Sequence, residues 1–310
     1  LCREESAKGG FGYNNTFNNN VAGTAGAALC WFSAENIVID TYYFDNNRAG
    51  SNGGAIYVKG VNTTISDSNF TRNRVNVSNF ARGGSIDVFG DDAKILGCMF
   101  DYCIAYDGGI IYVNGNNAVI DSSTLTHSSA VNDGGAVYVA GENATISNSV
   151  LNFNNATSYG GAIFVDGANA RLDGDVFEYC SSDMLNGGAV YVQGVNTTIS
   201  NSNFSKNRVN VSNFARGGSV YVAGSDAEIL NSTFDYCIAY DGAVLYINGA
   251  NAYIDGSEFT HSSAVNNGGA IYVAGSDATI SNSVLNFNNA TNYGGAIFVD
   301  GANARLDGDV

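Results

Sequence analysis

Six cysteines, two histidines and a scatter of carboxylates are the residues of this 310-residue chain whose types could support covalent, metal or acid–base chemistry. An even cysteine count in an exported protein invites a disulfide framework. Here Cys103, Cys180 and Cys237 occupy one position of an internal repeat, three and two units apart. At about 4.8 Å per unit they are roughly 14 and 10 Å from one another, too far for a bridge. They read as buried thiols. Cys2 with Cys30 is the pair that could join, and Cys98 with Cys103 is a weaker second. His127 and His261 are copies of each other about 24 Å apart, so no metal-ligand spacing appears. A polysaccharide lyase or glycoside hydrolase needs converging carboxylates, or calcium ligands beside a basic residue. Asp87 is the one acid found among the outward positions of the first strand, its counterpart is Tyr221, and Asp166 and Asp300 are turn residues and copies. The expectation is no catalytic residue, no metal, no cofactor and no enzyme.

The element that must position these residues is a repeat. Aligning on GGAIYVxG places coil starts at Ala27, Gly53, Gly83, Gly108, Gly134, Gly160, Gly187, Gly217, Gly242, Gly268 and Gly294, about every 26 residues. A fixed period of this size, filled with short strand-like runs between Gly, Asn and Asp and carrying no helical pattern, predicts an all-β, right-handed, single-stranded parallel β-helix. It should have about eleven coils with three strands each. Residues 1–26 then form an N-terminal cap and partial first coil, and 27–310 the solenoid. Residues 61–194 are a five-coil module copied, truncated, as 195–310, with about 90 of the 116 shared positions identical. A copied module spreads function along the rod, which also weighs against a single catalytic centre.

Period-two alternation sets the faces of the first strand. Ile56, Ile86, Ile111, Val137 and Ile163, each with a Val two places on, point inward. Between them stand Trp31, Tyr57, Asp87, Tyr112, Tyr138, Phe164, Tyr191, Tyr221, Tyr246, Tyr272 and Phe298. The lone Asp marks that position as outward, so the ten aromatic residues predict an exposed ladder, either a staple between coils or a platform for a glycan or partner rod. A second strand buries Ala93 with Ile95 and Ala118 with Ile120. The third carries FxxN, as in Phe70 to Asn73, whose Asn should stack inside the coil as identical amides do in cross-β assemblies.

The surface offers two further candidates. Sequons begin at Asn14, Asn62, Asn69, Asn76, Asn143, Asn155, Asn196, Asn203, Asn210, Asn231 and Asn289, several on turns where a glycan could project. The two long coils carry basic loops, with Arg72, Arg74 and Arg82 in the first and Lys206, Arg208 and Arg216 in the second, candidate contacts for an anionic partner. Elsewhere acid dominates. The net charge of −16 comes from 29 acidic and 13 basic residues and excludes a nucleic-acid surface. No apolar run is long enough to span a membrane. The final LDGDV stops in mid-coil, so any membrane or wall attachment is expected through a segment not present here.

Repeats reading GGAIYVKG at 53–60 and FTRN at 70–73 resemble those of the chlamydial polymorphic outer-membrane proteins. The Asn-, Ser- and Thr-rich, proline-free style is similar to adhesin-like surface proteins of methanogenic archaea. The resemblance implies an extracellular, cell-surface adhesin, a rigid rod presenting repeated contact sites to other cells, surface glycans or proteins. The alternative is a structural subunit that stacks end to end into a fibre or sheath. A polysaccharide-cleaving enzyme is the third reading.

Overall fold

The computed structural model describes residues 2–3, 14–33, 35–77, 80–211 and 214–308. Within them the chain winds as a right-handed parallel β-helix of about eleven coils. Each strand is two or three residues long, because Gly, Asn or a left-handed residue ends it. The sheets number four rather than three per turn, with 12, 11, 11 and 10 parallel strands. The first runs from Leu29–Trp31, with Cys2–Arg3 before it, to Ile297–Val299. The second runs from Val38–Asp40 to Arg305–Asp307, and the third from Thr16–Asn18 to Val284–Asn286. The fourth, missed in the sequence, is built from pairs such as Arg48–Ala49 and Arg208–Val209. It arises because the residue before each FxxN asparagine takes a positive φ, 54° at Arg72 and 56° at Lys206. That single left-handed step turns the chain a corner and lets the next two residues pair again. None of the helices among the described residues is long and apolar enough to cross a membrane.

Like stacks on like. Ile86 pairs with Ile56 and Ile111, and Val88 with Val58 and Val113, all at most 1% exposed, as alternation predicts. Phe44, Phe70 and Phe100 pile ring on ring at 4.6 and 4.7 Å. Gly83 has φ +60°, and a Cβ on Gly84 would lie 2.0 Å from the Gly109 carbonyl of the next coil. The Gly-Gly pair is therefore required by the turn and by the close approach of backbones.

The internal amide ladder forms as expected. Asn47 is fully buried: its Oδ1 accepts from the Asn20 side chain at 2.8 Å, and its Nδ2 donates to Asn73 Oδ1 at 3.0 Å and to the Phe17 carbonyl at 2.8 Å. Asn207 Oδ1 accepts the Cys180 amide, and its Nδ2 donates to the Phe177 carbonyl. A second ladder went unread in the sequence: Ser123, Ser149, Asp175, Ser202 and Ser232 stack at the corner between the second and third strands. Both ladders satisfy backbone groups that the corners leave unpaired.

One register differs. Leu29 pairs with Ile56, Cys30 with Tyr57 and Trp31 with Val58. The first coil thus begins at Gly26, at φ +54°, rather than at Ala27. Trp31 turns into the core, 4% exposed, and Cys30 takes the outward position. The slip arose because the first coil has one Gly, not two, on which to align.

Candidate functional site

Two outer columns gather the groups able to do chemistry. The first lies on the outer face of the first sheet, where Tyr112, Tyr138, Phe164, Tyr191, Tyr221, Tyr246 and Tyr272 stack at 4.6–5.2 Å between centroids. Tyr57 precedes them and Phe298 follows, tilted. The expected exposure of this ladder is corrected. Tyr57, Tyr112, Phe164, Tyr221 and Tyr246 are at most 8% exposed, and Tyr138, Tyr191, Tyr272 and Phe298 are half-buried. Rings stacked along the rod cover one another's faces and leave only their edges to solvent, and side chains from flanking columns close over those. The ladder therefore binds coil to coil, each pair worth on the order of 0.2–1 kcal/mol.

One flanking column is the residue before the left-handed Gly that opens each coil, reading Arg82, Asp107, Asp133, Tyr159 and, in the second copy, Arg216, Asp241, Asn267, Tyr293. Asn132 Nδ2 donates to both Asp107 Oδ1 and Asp133 Oδ2 at 3.0 Å, so those two oxygens lie within 6.0 Å of each other. Asp133 Oδ1 accepts the Tyr159 amide at 3.1 Å. Burial and the Asp107 charge push the Asp133 carboxyl up to about 7, and burial raises Asp107. In the second copy Asn267 accepts the corresponding amide, from Tyr293 at 3.2 Å. A neutral group therefore suffices for that contact, in line with a protonated Asp133. Sequence reading missed this column because it sought carboxylates on the outward strand positions and in the turn after the first strand, not in the turn before it. The signal was there, since any residue at a fixed place in the repeat must stack.

Asp87 points outward yet is 0% exposed, wedged between Tyr57 and Tyr112 in a column that otherwise carries rings from Tyr57 onward. Neither of its carboxyl oxygens finds a partner, nor does Arg82 Nε. Burial raises its pKa well above the ordinary value, and the Arg82 guanidinium draws it part of the way back.

The second column stands where the third strand turns into the fourth. Tyr102, His127, Phe153 and Tyr179 stack at 5.0 Å, Lys206 Nζ lies 4.7 Å over Tyr179, and Tyr236, His261 and Phe287 stack again at 4.9 and 5.2 Å. Every one of these residues has a positive φ, which Asn46 adopts easily and a bulky ring does not. All five tyrosines and phenylalanines are 45–80% exposed. Asn46 holds the same place and conformation without a ring. His127 and His261 sit in this column against Asp101 and Asp235 at 3.0 and 2.9 Å.

The basic loops do not form two patches, and that expectation is corrected. Arg72 binds Asp45 through Nε and Nη2, and Lys206 binds Glu178. Arg74 and Arg208 lie exposed on the fourth sheet. Arg82 and Arg216 fold back over Tyr112 and Tyr246, at 4.7 and 4.8 Å from the ring centres. Alternation along the chain divides each loop's charges among three faces.

Of the sequons, Asn14, Asn62, Asn76, Asn143, Asn196, Asn203, Asn210, Asn231 and Asn289 are exposed, and Asn69 and Asn155 half-buried. Asn62, Asn143 and Asn196 have positive φ and donate to Asn36, Asn117 and Asn169 of the preceding coil. These turn asparagines thus have a backbone and ladder role of their own. The backbone of Cys2 pairs with that of Cys30, and the Cys2 side chain lies outside the described residues. Cys98, Cys103, Cys180 and Cys237 are at most 1% exposed and free, with burial lifting their thiols to about 11 or 12.

Against this geometry the comparisons can be placed. Residues 41–59, spanning Phe44 to Asn47 and the following Gly-Gly-Ala-Ile, match the Chlamydia polymorphic membrane protein repeat, and the chain resembles β-helical repeat surface proteins. None of the curated proteins matches it. Among solved structures it is similar to DFA-IIIase from Arthrobacter chlorophenolicus A6 in complex with GF2, with a TM-score of 0.50 and 11% identity over 89% of this chain and 84% of that one. At that identity the likeness is one of fold. It still corrects the expectation that the chain is no enzyme: a coil of the same build serves an enzyme, and the fold gives no ground for excluding one.

Proposed function

We propose that this chain is a β-helical part of an extracellular cell-surface protein, an adhesin that contacts other cells, surface glycans or proteins through the exposed ring column of the third-strand corner. The observation that supports this reading is the recurrence of Tyr102, His127 and Phe153 as Tyr236, His261 and Phe287, in identical register one module further along the rod. Large exposed rings held in a left-handed conformation oppose stability. Two copies kept in register supply a spaced, repeated contact, in which weak sites add through linkage. The resemblance to polymorphic membrane protein repeats points to the same location.

The test replaces Tyr102, Phe153, Tyr236 and Phe287 together by Asn, the residue that position 46 already carries at φ 52°. The coil should keep or gain thermal stability while attachment of the protein-coated surface to cells falls several-fold. Unchanged attachment would remove the column from the function.

A further inference from the structure

The exposed ring column is interrupted once, at Lys206, and the interruption leaves a notch. Tyr179 and Tyr236 are two coils apart, about 10 Å. Lys206 leans onto the Tyr179 face and is held by Glu178 at 2.9 Å. The opposite face of Tyr236 is covered by His261 at 4.9 Å, so its near face opens on the notch. A groove of 470 Å³ lies there, lined by Tyr179, Lys206, Arg208, Tyr236 and Ile238. It adjoins a second groove of 350 Å³ bounded by Ser181, Asp183 and Asn210. Arg208 and Ile238 line both grooves. Among the described residues no carboxylate pairs with Arg208, although every other charge at the notch is engaged: Lys206 by Glu178, and Asp183 by Asn155. Like Arg48 and Arg74 on the same sheet, it is an exposed cation with no acidic partner among the described residues, on a chain of net charge −16.

We propose that this notch binds an acidic saccharide, one sugar ring lying on the open face of Tyr236 with its carboxylate on the Arg208 guanidinium. This rests on the surface-contact reading and names its ligand class. A guanidinium takes a carboxylate through two parallel hydrogen bonds, and one unpaired guanidinium matches one carboxylate per sugar. The apolar face of a pyranose suits a tyrosine ring. An acidic peptide fits less well. The fourth-sheet strand at Arg208 is paired on both sides, with Ser181 and Ile238, so no edge is open for an extended peptide to join. The first copy lacks this arrangement. There Tyr102 and Arg74 match Tyr236 and Arg208, but Asn46 stands in place of Tyr179 and Arg48 in place of Ser181.

Titration calorimetry of the whole chain with trigalacturonate, galactotriose and triglutamate tests the proposal. Trigalacturonate should bind, weakening as salt rises. Arg208→Gln should lose about tenfold in affinity with an unchanged melting temperature, and Tyr236→Asn should lose a similar factor. No binding of trigalacturonate, equal binding by Arg208→Gln, or equal binding of galactotriose or triglutamate would each overturn it. Cell attachment measured on Arg208→Gln separates the two readings. If attachment persists while trigalacturonate binding is lost, the ring column stands by itself. If the four-ring variant still attaches cells, the surface-contact reading fails whatever the calorimetry gives.

Discussion

Asp175 interrupts a ladder of serines, and replacing it by Ser should change how the stability of the rod depends on pH. The residue is 0% exposed, its Oδ1 accepts the Ser149 amide at 2.8 Å and its Oδ2 has no partner. Burial pushes its carboxyl from 3.8 up to about 7. Between those values the unfolded chain has released this proton and the folded chain has kept it, so stability falls as pH rises through the window and levels off above about 7. About three decades at 1.36 kcal/mol each give a loss on the order of 4 kcal/mol between pH 4 and pH 8. A serine at 175 can accept the Ser149 amide and donate to the Asp173 carbonyl, as Ser202 does toward Asp175 and Ser200. Asp175→Ser should therefore melt near the wild type at pH 4 and well above it at pH 8. Asp133, raised for the same reason, retains part of the slope. Guanidinium midpoints measured at pH 4, 6 and 8 decide the matter. Parallel pH profiles for the two proteins would show that Asp175 ionises freely in the fold and that the burial argument is wrong.

Two other outcomes follow from the core. Ile163→Asp places an unpaired charge among fully buried neighbours at a cost of several kcal/mol. Circular dichroism should show partial loss of β-signal at room temperature, and a full native spectrum with an unshifted melt would contradict the coil assignment. The thiols of Cys98, Cys103, Cys180 and Cys237, buried and raised to about 11 or 12, should resist alkylation at pH 8 until denaturant opens the rod. Rapid labelling of any of the four in the native protein, read by peptide mass spectrometry, would place it at the surface.

The coil itself was legible in the sequence. A translational repeat puts each position above its own copy, so the period gives the stacking, and alternation gives the inward Ile and Val without any knowledge of neighbours. The Asn73 and Asn207 ladder followed from the same logic. What lies over the outward positions could not be read, because cover comes from side chains one or two coils away. Arg82 closes over Tyr112, Asp87 is buried though it faces out, and a ladder that alternation exposes is in fact largely covered. The fourth sheet and the exposed ring column both depend on a single left-handed residue, whose conformation bulky side chains such as Tyr102 and Phe153 do not announce. Trp31 shows the limit from the other side: with only one Gly in the first coil, the sequence left one residue of freedom, and the pairing of Leu29 with Ile56 removed it. The sequence by itself determined the repeat, its period and its inner face, since these follow from chain-local patterns. Only the tertiary structure decided which outer groups are buried, which carboxyls hold protons and which rings meet solvent, since those are set by the summed neighbours of three successive coils.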